Sequence, residues 1–511
     1  MGCVRGILLD ESVLFAEEEE EEEENTSNAP NIYFQSGAES LLRRLQFSKI
    51  RTGISYGVAV SAQKVTFLQR ISMLYSLDSF LLNPSSIDVS LNHILLAWGD
   101  IGATSCFYVT STQDDPLSHQ LINHHWSVFT TSSTHDVGDN SKVSSISTLE
   151  ELPLVICDYN RKASGESVVT VGYVMKPSRE EDFAKRGAFP MHPTPNGLLF
   201  VPLTFNLPLV SQLQKVDLIL HKATDEVVSV GLNNGSGCPS KTSYTKGMQE
   251  MERYFQDHHD FCIIDPLDNI SPVLDRLSMQ HILLGLDNLK TDGHCRIRAP
   301  HFLKVDDFND PNLGDRLSEV NLFLPSIVKP QVACGLLGAH DMAIVFRTED
   351  FKGLRIPLPV VVQEYVDHSS LLYKFYVLGD KVFYAVKNST PNADVFLSSY
   401  EKDGKKPIIF NSLKSLPTSK DDVNSKTNKQ QSIDLDLVTK TAKWLRKMLN
   451  LTIFGFDVVI QEGSRDHVVV DVNYLPSFKE VADEVAVPAF WDAIKNSYEL
   501  RKAKVETVSF P

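Results

Sequence analysis

Two runs of β-branched and aromatic residues, IFGFDVVIQ at 453–461 and VVVDVN at 468–473, are separated only by the polar stretch EGSRDH. Runs this apolar are buried strands, and so short a connection makes them an antiparallel hairpin. Each strand nevertheless carries an acid, Asp457 and Asp471. Opposed residues of an antiparallel pair share a face, so a turn around 461–467 places Asp457 opposite Asp471, and Asn473 joins them two residues on. A slip of one residue would carry Asp457 to the other face. With the register held, two carboxylates and an amide oxygen converge, which is unfavourable unless a cation sits between them. Hard oxygen ligands select Mg²⁺ or Ca²⁺ over zinc. Mg²⁺ held by few carboxylates completes its shell with water and phosphate, as in phosphoryl-transfer sites. The alternative is that Asp-x-Asn merely opens a turn.

A Mg²⁺-nucleotide site also needs cations for the polyphosphate and a slot for the base. The chain has no G-x-x-x-x-G-K-[ST], so a P-loop is excluded. Single lysines instead punctuate apolar strands: Lys329 closes PSIVK and Lys374 interrupts LLYKFYVL. A lysine in a buried strand needs an anion or a path to water, and two on neighbouring strands fit a phosphate. VVVQEYV, 360–366, supplies extended backbone whose N–H and C=O groups can read an adenine edge.

At 511 residues the chain exceeds one core, and two to four domains are expected. Strand patterns alternate with helical ones throughout, which predicts an α/β protein. Charge is uneven: residues 1–160 hold 8 Lys/Arg against 21 Asp/Glu, whereas 161–511 hold 41 against 44. That balance disfavours nucleic-acid binding by the first part. Residues 17–31 begin with eight consecutive glutamates and read as an acidic loop. NRKASGES, 160–167, reads as a linker, and 391–432 as a long polar loop. No apolar run reaches the length of a membrane span, so no membrane partner is expected. Seven cysteines without a C-x-x-C give neither a disulfide framework nor a zinc site. A reducing compartment, cytoplasm or nucleus, is expected.

Several ordered motifs together resemble one family. IVKP…GAHDMAIVF, VVVQEYVDHSSLLYKFYVLG, FGFDVVI and VVVDVNYLPSF, preceded by VGYVMKPS, LILHKATDE and IIDPLDNI…DRLSM, are similar to the inositol 1,3,4-trisphosphate 5/6-kinases, or inositol-tetrakisphosphate 1-kinases. These are ATP-grasp enzymes. The likeness spans about 168–500, and the extra domain before it points to the long plant branch, the kinase 4 type. It implies an ATP- and Mg²⁺-dependent kinase, with two ions, acting on hydroxyls of inositol tris- and tetrakisphosphates in phytate biosynthesis. Inositol phosphate isomerase activity through the same bound nucleotide is also implied.

The resemblance assigns residues as follows. Asp457, Asp471 and Asn473 are metal ligands, and Asn473 also faces substrate. Lys329 and Lys374 hold nucleotide phosphates, and Lys374 also reaches the substrate. Gln363, Glu364, Tyr365 and Val366 form the adenine hinge, while Arg276, Ser389 and Ser412 touch nucleotide. His340, after the glycine-bearing loop 335–339, faces the inositol phosphate and with Lys374 is the catalytic pair. Lys222, Arg179 and Ser477 are placed on the substrate side. The expected domains are 161–275 (N-terminal α/β part of the kinase), 276–370 (ATP-grasp central) and 371–511 (ATP-grasp C-terminal), in a monomer.

The family pattern is not followed everywhere. KPSRE places Ser178 and Arg179 where a Lys-Lys pair is common. Lys387 replaces an arginine, and Ser477, followed by Lys479, replaces a glycine. These positions line the inositol side, so substrate choice is less constrained than ATP handling. In residues 1–160, ILLDESVLF and CFYVTS resemble the first two motifs of the haloacid-dehalogenase fold, whose chemistry needs an acid two residues after the nucleophile. Position 12 is Ser12, so this domain reads as degenerate and inactive. The rivals to the kinase are an ATP-grasp carboxylate–amine ligase and a non-catalytic inositol-phosphate or nucleotide-binding regulator.

Overall fold

The computed structural model describes residues 3–17, 32–99, 101–112, 116–131, 143–165, 168–232, 242–289, 295–402, 404, 406–414, 416–418 and 433–508. It divides into two compact units, Met1–Leu220 and His221–Pro511. No helix among the described residues is long and apolar enough to cross a membrane.

The first unit opens on a six-stranded parallel sheet of β1 (Gly6–Asp10), β2 (Arg51–Gly57), β3 (Asp78–Leu82), β4 (Cys106–Thr110), β5 (Ser127–Thr130) and β6 (Val143–Ser145). Its order is β3-β2-β1-β4-β5-β6. A parallel sheet is covered on both faces, so its middle strands must be apolar throughout. β1 obeys: Ile7 and Leu9 enter one core cluster and Leu8 the opposite one. The strand ends on Asp10, whose carboxylate is surrounded by hydroxyls. Ser12 Oγ donates to it at 2.6 Å, Tyr108 OH at 3.1 Å and Ser55 Oγ at 3.2 Å. The expected acidic loop lies outside the described residues except for Glu17. The expected linker is corrected in part: residues 160–164 complete the helix Leu152–Ser164. Its Leu152, Ile156 and Cys157 are fully buried, and this apolar face outweighs the local polarity that suggested a linker. Beyond it lie the parallel strands β7 (Val169–Val174) and β8 (Leu198–Pro202).

The second unit holds two five-stranded sheets. One comprises β10 (Phe302–Val305), β11 (Ser326–Pro330), β12 (Asp341–Val345), β13 (Val360–Glu364) and β16 (Ile408–Asn411), in the order β10-β13-β11-β12-β16 and antiparallel throughout. The other comprises β9 (Ile297–Arg298), β14 (Leu371–Leu378), β15 (Lys381–Asn388), β17 (Ile453–Ile460) and β18 (His467–Tyr474), in the order β9-β18-β17-β14-β15. All eight residues of β17 are buried. The helix Leu435–Leu449 begins with Asp434 accepting from Leu437 N at 3.0 Å, an N-cap. It buries Leu437, Val438, Thr441, Ala442, Leu445 and Leu449, one apolar stripe at helical spacing. The expected polar loop at 391–432 is also corrected: it contains the helix Ala393–Lys402 and β16, and 419–432 lie outside the described residues. Phe396 and Tyr400 anchor that helix by packing against Ile344 and Phe346.

Candidate functional site

Lys374, Asp457 and Asp471 form one row across β14, β17 and β18. Lys374 is paired with Asp457, and Asp457 with Asp471. The two acids therefore share a face, and Lys374 Nζ stands 3.8 Å from Asp457 Oδ2. Asn473 is paired with Gly455 two rows along, on the same face, and its Nδ2 donates to Asp471 Oδ2 at 3.1 Å. Burial pushes the Asp457 carboxyl up to about 7; Lys374 opposes this and Asp471 adds to it.

Immediately past this row the ladder shifts, and Val458 is paired with Val469. Val470 is thus the extra residue of a bulge, a device that re-aims local groups. Its carbonyl accepts from Lys329 Nζ at 3.3 Å, and the same ammonium donates to Gln363 Oε1 at 2.9 Å. Burial pulls Lys329 down to about 8, with Asp471 and Asp457 working to hold its proton. A small cavity touches Lys329, Gln363, Asp471, Arg276 and Gln280. Two buried polar atoms on it, Arg276 Nε and Gln280 Oε1, have no hydrogen-bond partner among the described residues. Buried polar atoms are rarely left so, and a polar ligand would complete them.

Arg276 does more than face that cavity. Its Nη1 donates to the carbonyls of Pro330 (2.6 Å), Val332 (2.9 Å) and Ala339 (3.1 Å), and its Nη2 to that of Ala333 (3.2 Å). The guanidinium thereby pins the loop 331–339, in which Gly335 and Gly338 take positive φ. A Cβ at Gly335 would lie 2.7 Å from Val227 Cβ, so this turn requires glycine. At the end of the loop His340 meets Ser412, whose N–H donates to His340 O at 3.0 Å and whose Oγ is 3.3 Å from Nδ1.

The other expected residues are placed less directly. Gln363 and Glu364 are paired with β11, and Gln363 also with β10. The Glu364 carboxylate is held by Arg298 at 2.7 and 2.9 Å. Backbone beyond the ladder begins at Tyr365 and Val366, and the Val366 carbonyl already meets His368 Nδ1 at 2.6 Å. Lys222 is buried and donates to the carbonyls of Tyr474 and, at 3.2 Å, Leu475, at the end of β18. Ser389 is buried, its N–H bonded to Ser370 O at 2.8 Å, and Ser477 is buried in the turn after β18. Arg179 belongs to the first unit, on the helix Pro177–Ala184, 4.0 Å from Asp182.

Gln280 and Gln331 escaped the sequence reading. The first had a signal: Arg276, Met279, Gln280 and Leu283 form the buried face of one helix, with polar residues at two of its apolar positions. Gln331, completely buried, donates to Asp275 Oδ1 at 3.0 Å, and nothing in its neighbourhood marked it.

Among the described residues no group of three or more His, Cys, Asp or Glu is placed to hold a metal. Asp457 and Asp471 with the Asn473 amide oxygen make a sparser donor set. It fits Mg²⁺, which draws the rest of its shell from phosphate and water.

Residues 1–162 match the family model described as ITPK4, N-terminal HAD-like domain, and residues 291–491 match the inositol 1,3,4-trisphosphate 5/6-kinase ATP-grasp domain. The chain is 48% identical over 504 residues to inositol-tetrakisphosphate 1-kinase 6 of Oryza sativa subsp. japonica, covering 98% of this chain and 89% of the rice protein. It is 28% identical over 300 residues to inositol-tetrakisphosphate 1-kinase of Danio rerio, covering 58% of this chain and 70% of the fish protein. D-alanine–D-alanine ligase from Bacillus anthracis superposes with a TM-score of 0.40 at 15% identity, covering 66% of this chain and 100% of the ligase, a likeness too slight to argue from.

Proposed function

Because the chain belongs to the inositol-tetrakisphosphate 1-kinase family, we propose that it moves the γ-phosphoryl group of ATP to a free hydroxyl of an inositol tris- or tetrakisphosphate. It is an ATP-dependent inositol phosphate kinase. The observation that carries the finer reading is the row Lys374–Asp457–Asp471, with Asn473 beside it.

In this reading Asp457, Asp471 and Asn473 hold Mg²⁺, two ions by the family pattern, which when bound neutralises phosphate charge. Lys329 anchors the nucleotide phosphates. Gln363 to Val366, with Arg276, Ser389 and Ser412, lie along the rest of the nucleotide. Lys374 serves both the transferring group and the acceptor. His340, Lys222, Asn473 and Ser477 face the inositol phosphate. The acceptor oxygen bonds to the γ-phosphorus as the bond to the ADP oxygen breaks, and the hydroxyl proton leaves to water. Such transfer rests on positioning and charge neutralisation, so no strong base is required. Run backwards on a bound product with the same nucleotide, the reaction moves phosphate between positions and supports isomerisation.

We place the domain limits at 160, 275 and 370 and take the chain as a monomer, in cytoplasm or nucleus. The domain before the kinase has Ser12 where phosphatase chemistry wants an acid, and is assigned no turnover. Neither a ligase nor a binding-only regulator is favoured: the relatives are kinases by name, and both carboxylates of the row are present. Incubation with ATP and individual inositol phosphates, with products resolved by isomer, tests the reading. A product with one more phosphate supports it; ATP consumption that instead requires a carboxylate and an amine contradicts it.

A further inference from the structure

The sheet face that carries the acidic row also carries a carboxylate outside the row, Glu480. Alternate residues of β14 share a face: Leu372, paired with Lys387; Lys374, paired with Asp457; and Tyr376, paired with Gly455. The chain leaves β18 at Tyr474 and turns back over this face. Leu475 (φ 42°) and Phe478 (φ 36°), both completely buried, adopt left-handed backbone to make that turn. Side chains other than glycine rarely take this conformation, and where they do the surroundings enforce it. Pro476 packs over Gly455, where a Cβ would come within 3.2 Å of Pro476 Cγ. The turn delivers Glu480, whose carboxylate accepts from Tyr376 OH and pairs with Lys387 Nζ. Its side chain is only 17% exposed, against 40% for Lys387.

Two cations therefore stand on this face, Lys374 and Lys387; Glu480 pairs directly with the more exposed one, Lys387, and Lys374 acts on its carboxylate more weakly. An inositol phosphate is a polyanion whose phosphates each seek a cation. A phosphate approaching Lys387 must displace a carboxylate that is fixed by two partners and partly shielded from water, where charge repulsion is least screened. A hydroxyl at the same place meets no such repulsion and can donate to that carboxylate. We propose that Glu480 is a specificity-determining residue: it makes the acceptor site favour an inositol phosphate presenting a hydroxyl, and disfavour one presenting a phosphate, on the side facing Lys387. This rests on the kinase reading above.

The test compares wild type with Glu480→Gln on an inositol trisphosphate and on a tetrakisphosphate that differs from it by one phosphate. Gln removes the charge and keeps an oxygen for Tyr376. The ratio of kcat/KM, tetrakis over tris, is expected to rise at least tenfold, through KM rather than kcat, with KM for ATP unmoved. The gain shrinks as ionic strength rises, and it is lost in Glu480→Gln/Lys387→Met. An unchanged ratio, or an equal fall for both acceptors with the melting temperature preserved, overturns the proposal. Calorimetric binding of the same two acceptors reads the ratio without turnover. Wild-type protein that binds both and transfers nothing contradicts the kinase reading, while the binding ratio in Glu480→Gln still decides the role of Glu480.

Discussion

Lys329 reaches from one sheet of the second unit to the backbone carbonyl of Val470 in the other, 3.3 Å away, at the point where a bulge breaks the ladder. Because the bulge follows the pair Asp457–Asp471, the cation and the acids arrive together. The Lys329 ammonium and the Asp457 carboxylate would otherwise be costly to bury, and their proximity, with half-buried Asp471 beside them, offsets part of that cost.

Gly455, inside β17, is the residue on which the covering turn rests. A methyl group there would lie 2.9 Å from Phe375 O and 3.2 Å from Pro476 Cγ. Gly455→Ala is expected to cost about 1–3 kcal/mol of stability, the usual penalty of overpacking, and to raise KM for the inositol phosphate more than KM for ATP. Denaturant unfolding and steady-state kinetics read the two effects.

Asp10 is held by hydroxyls and has no acid two residues on. Asp10→Asn is expected to lower the stability of the first unit by roughly 1–3 kcal/mol, because Ser55 and Tyr108 lose an acceptor. Kinase turnover should stay within about twofold of wild type. Wild type and variant alike should leave p-nitrophenyl phosphate intact. Hydrolysis by wild type that vanishes in Asp10→Asn would restore phosphatase chemistry to this domain.

His221 is completely buried, and burial pulls its pKa down to about 4. The fold keeps the imidazole neutral while the unfolded chain protonates it below the ordinary value of about 6.5. Its contribution is therefore neutral above that value and becomes destabilising as the pH falls toward 4. Measured against His221→Gln, the unfolding free energy of wild type should drop by about 3 kcal/mol across that window. A difference independent of pH between 4 and 6.5 would contradict the assignment.

The sequence revealed the hairpin, its register and the convergence of Asp457, Asp471 and Asn473, because strand periodicity is local and the turn between the strands is short. It also revealed Lys329 and Lys374, since a charge inside an apolar strand is conspicuous. It could not reveal the bulge at Val470, which depends on how β17 and β18 accommodate one extra residue. The capture of Arg276 by four carbonyls was equally hidden, because those carbonyls lie 54 to 63 positions away in the chain. Nothing in the sequence singles out Glu480 after the last strand; the left-handed turns at Leu475 and Phe478 bring it onto the sheet. The helix through 160–164 was misjudged for a related reason: its local composition is polar, and burial of its other face decides.

The central claim is that Asp457, Asp471 and Asn473 clamp a divalent cation that presents the nucleotide phosphates. Calorimetric titration of ADP with and without Mg²⁺, on wild type and on Asp471→Asn, addresses it most directly. Wild type should bind more tightly with Mg²⁺. The variant should lose that enhancement, keep its melting temperature, and show kcat lower by at least about a hundredfold. An equal Mg²⁺ enhancement in both proteins, with ordinary turnover in the variant, would contradict the account.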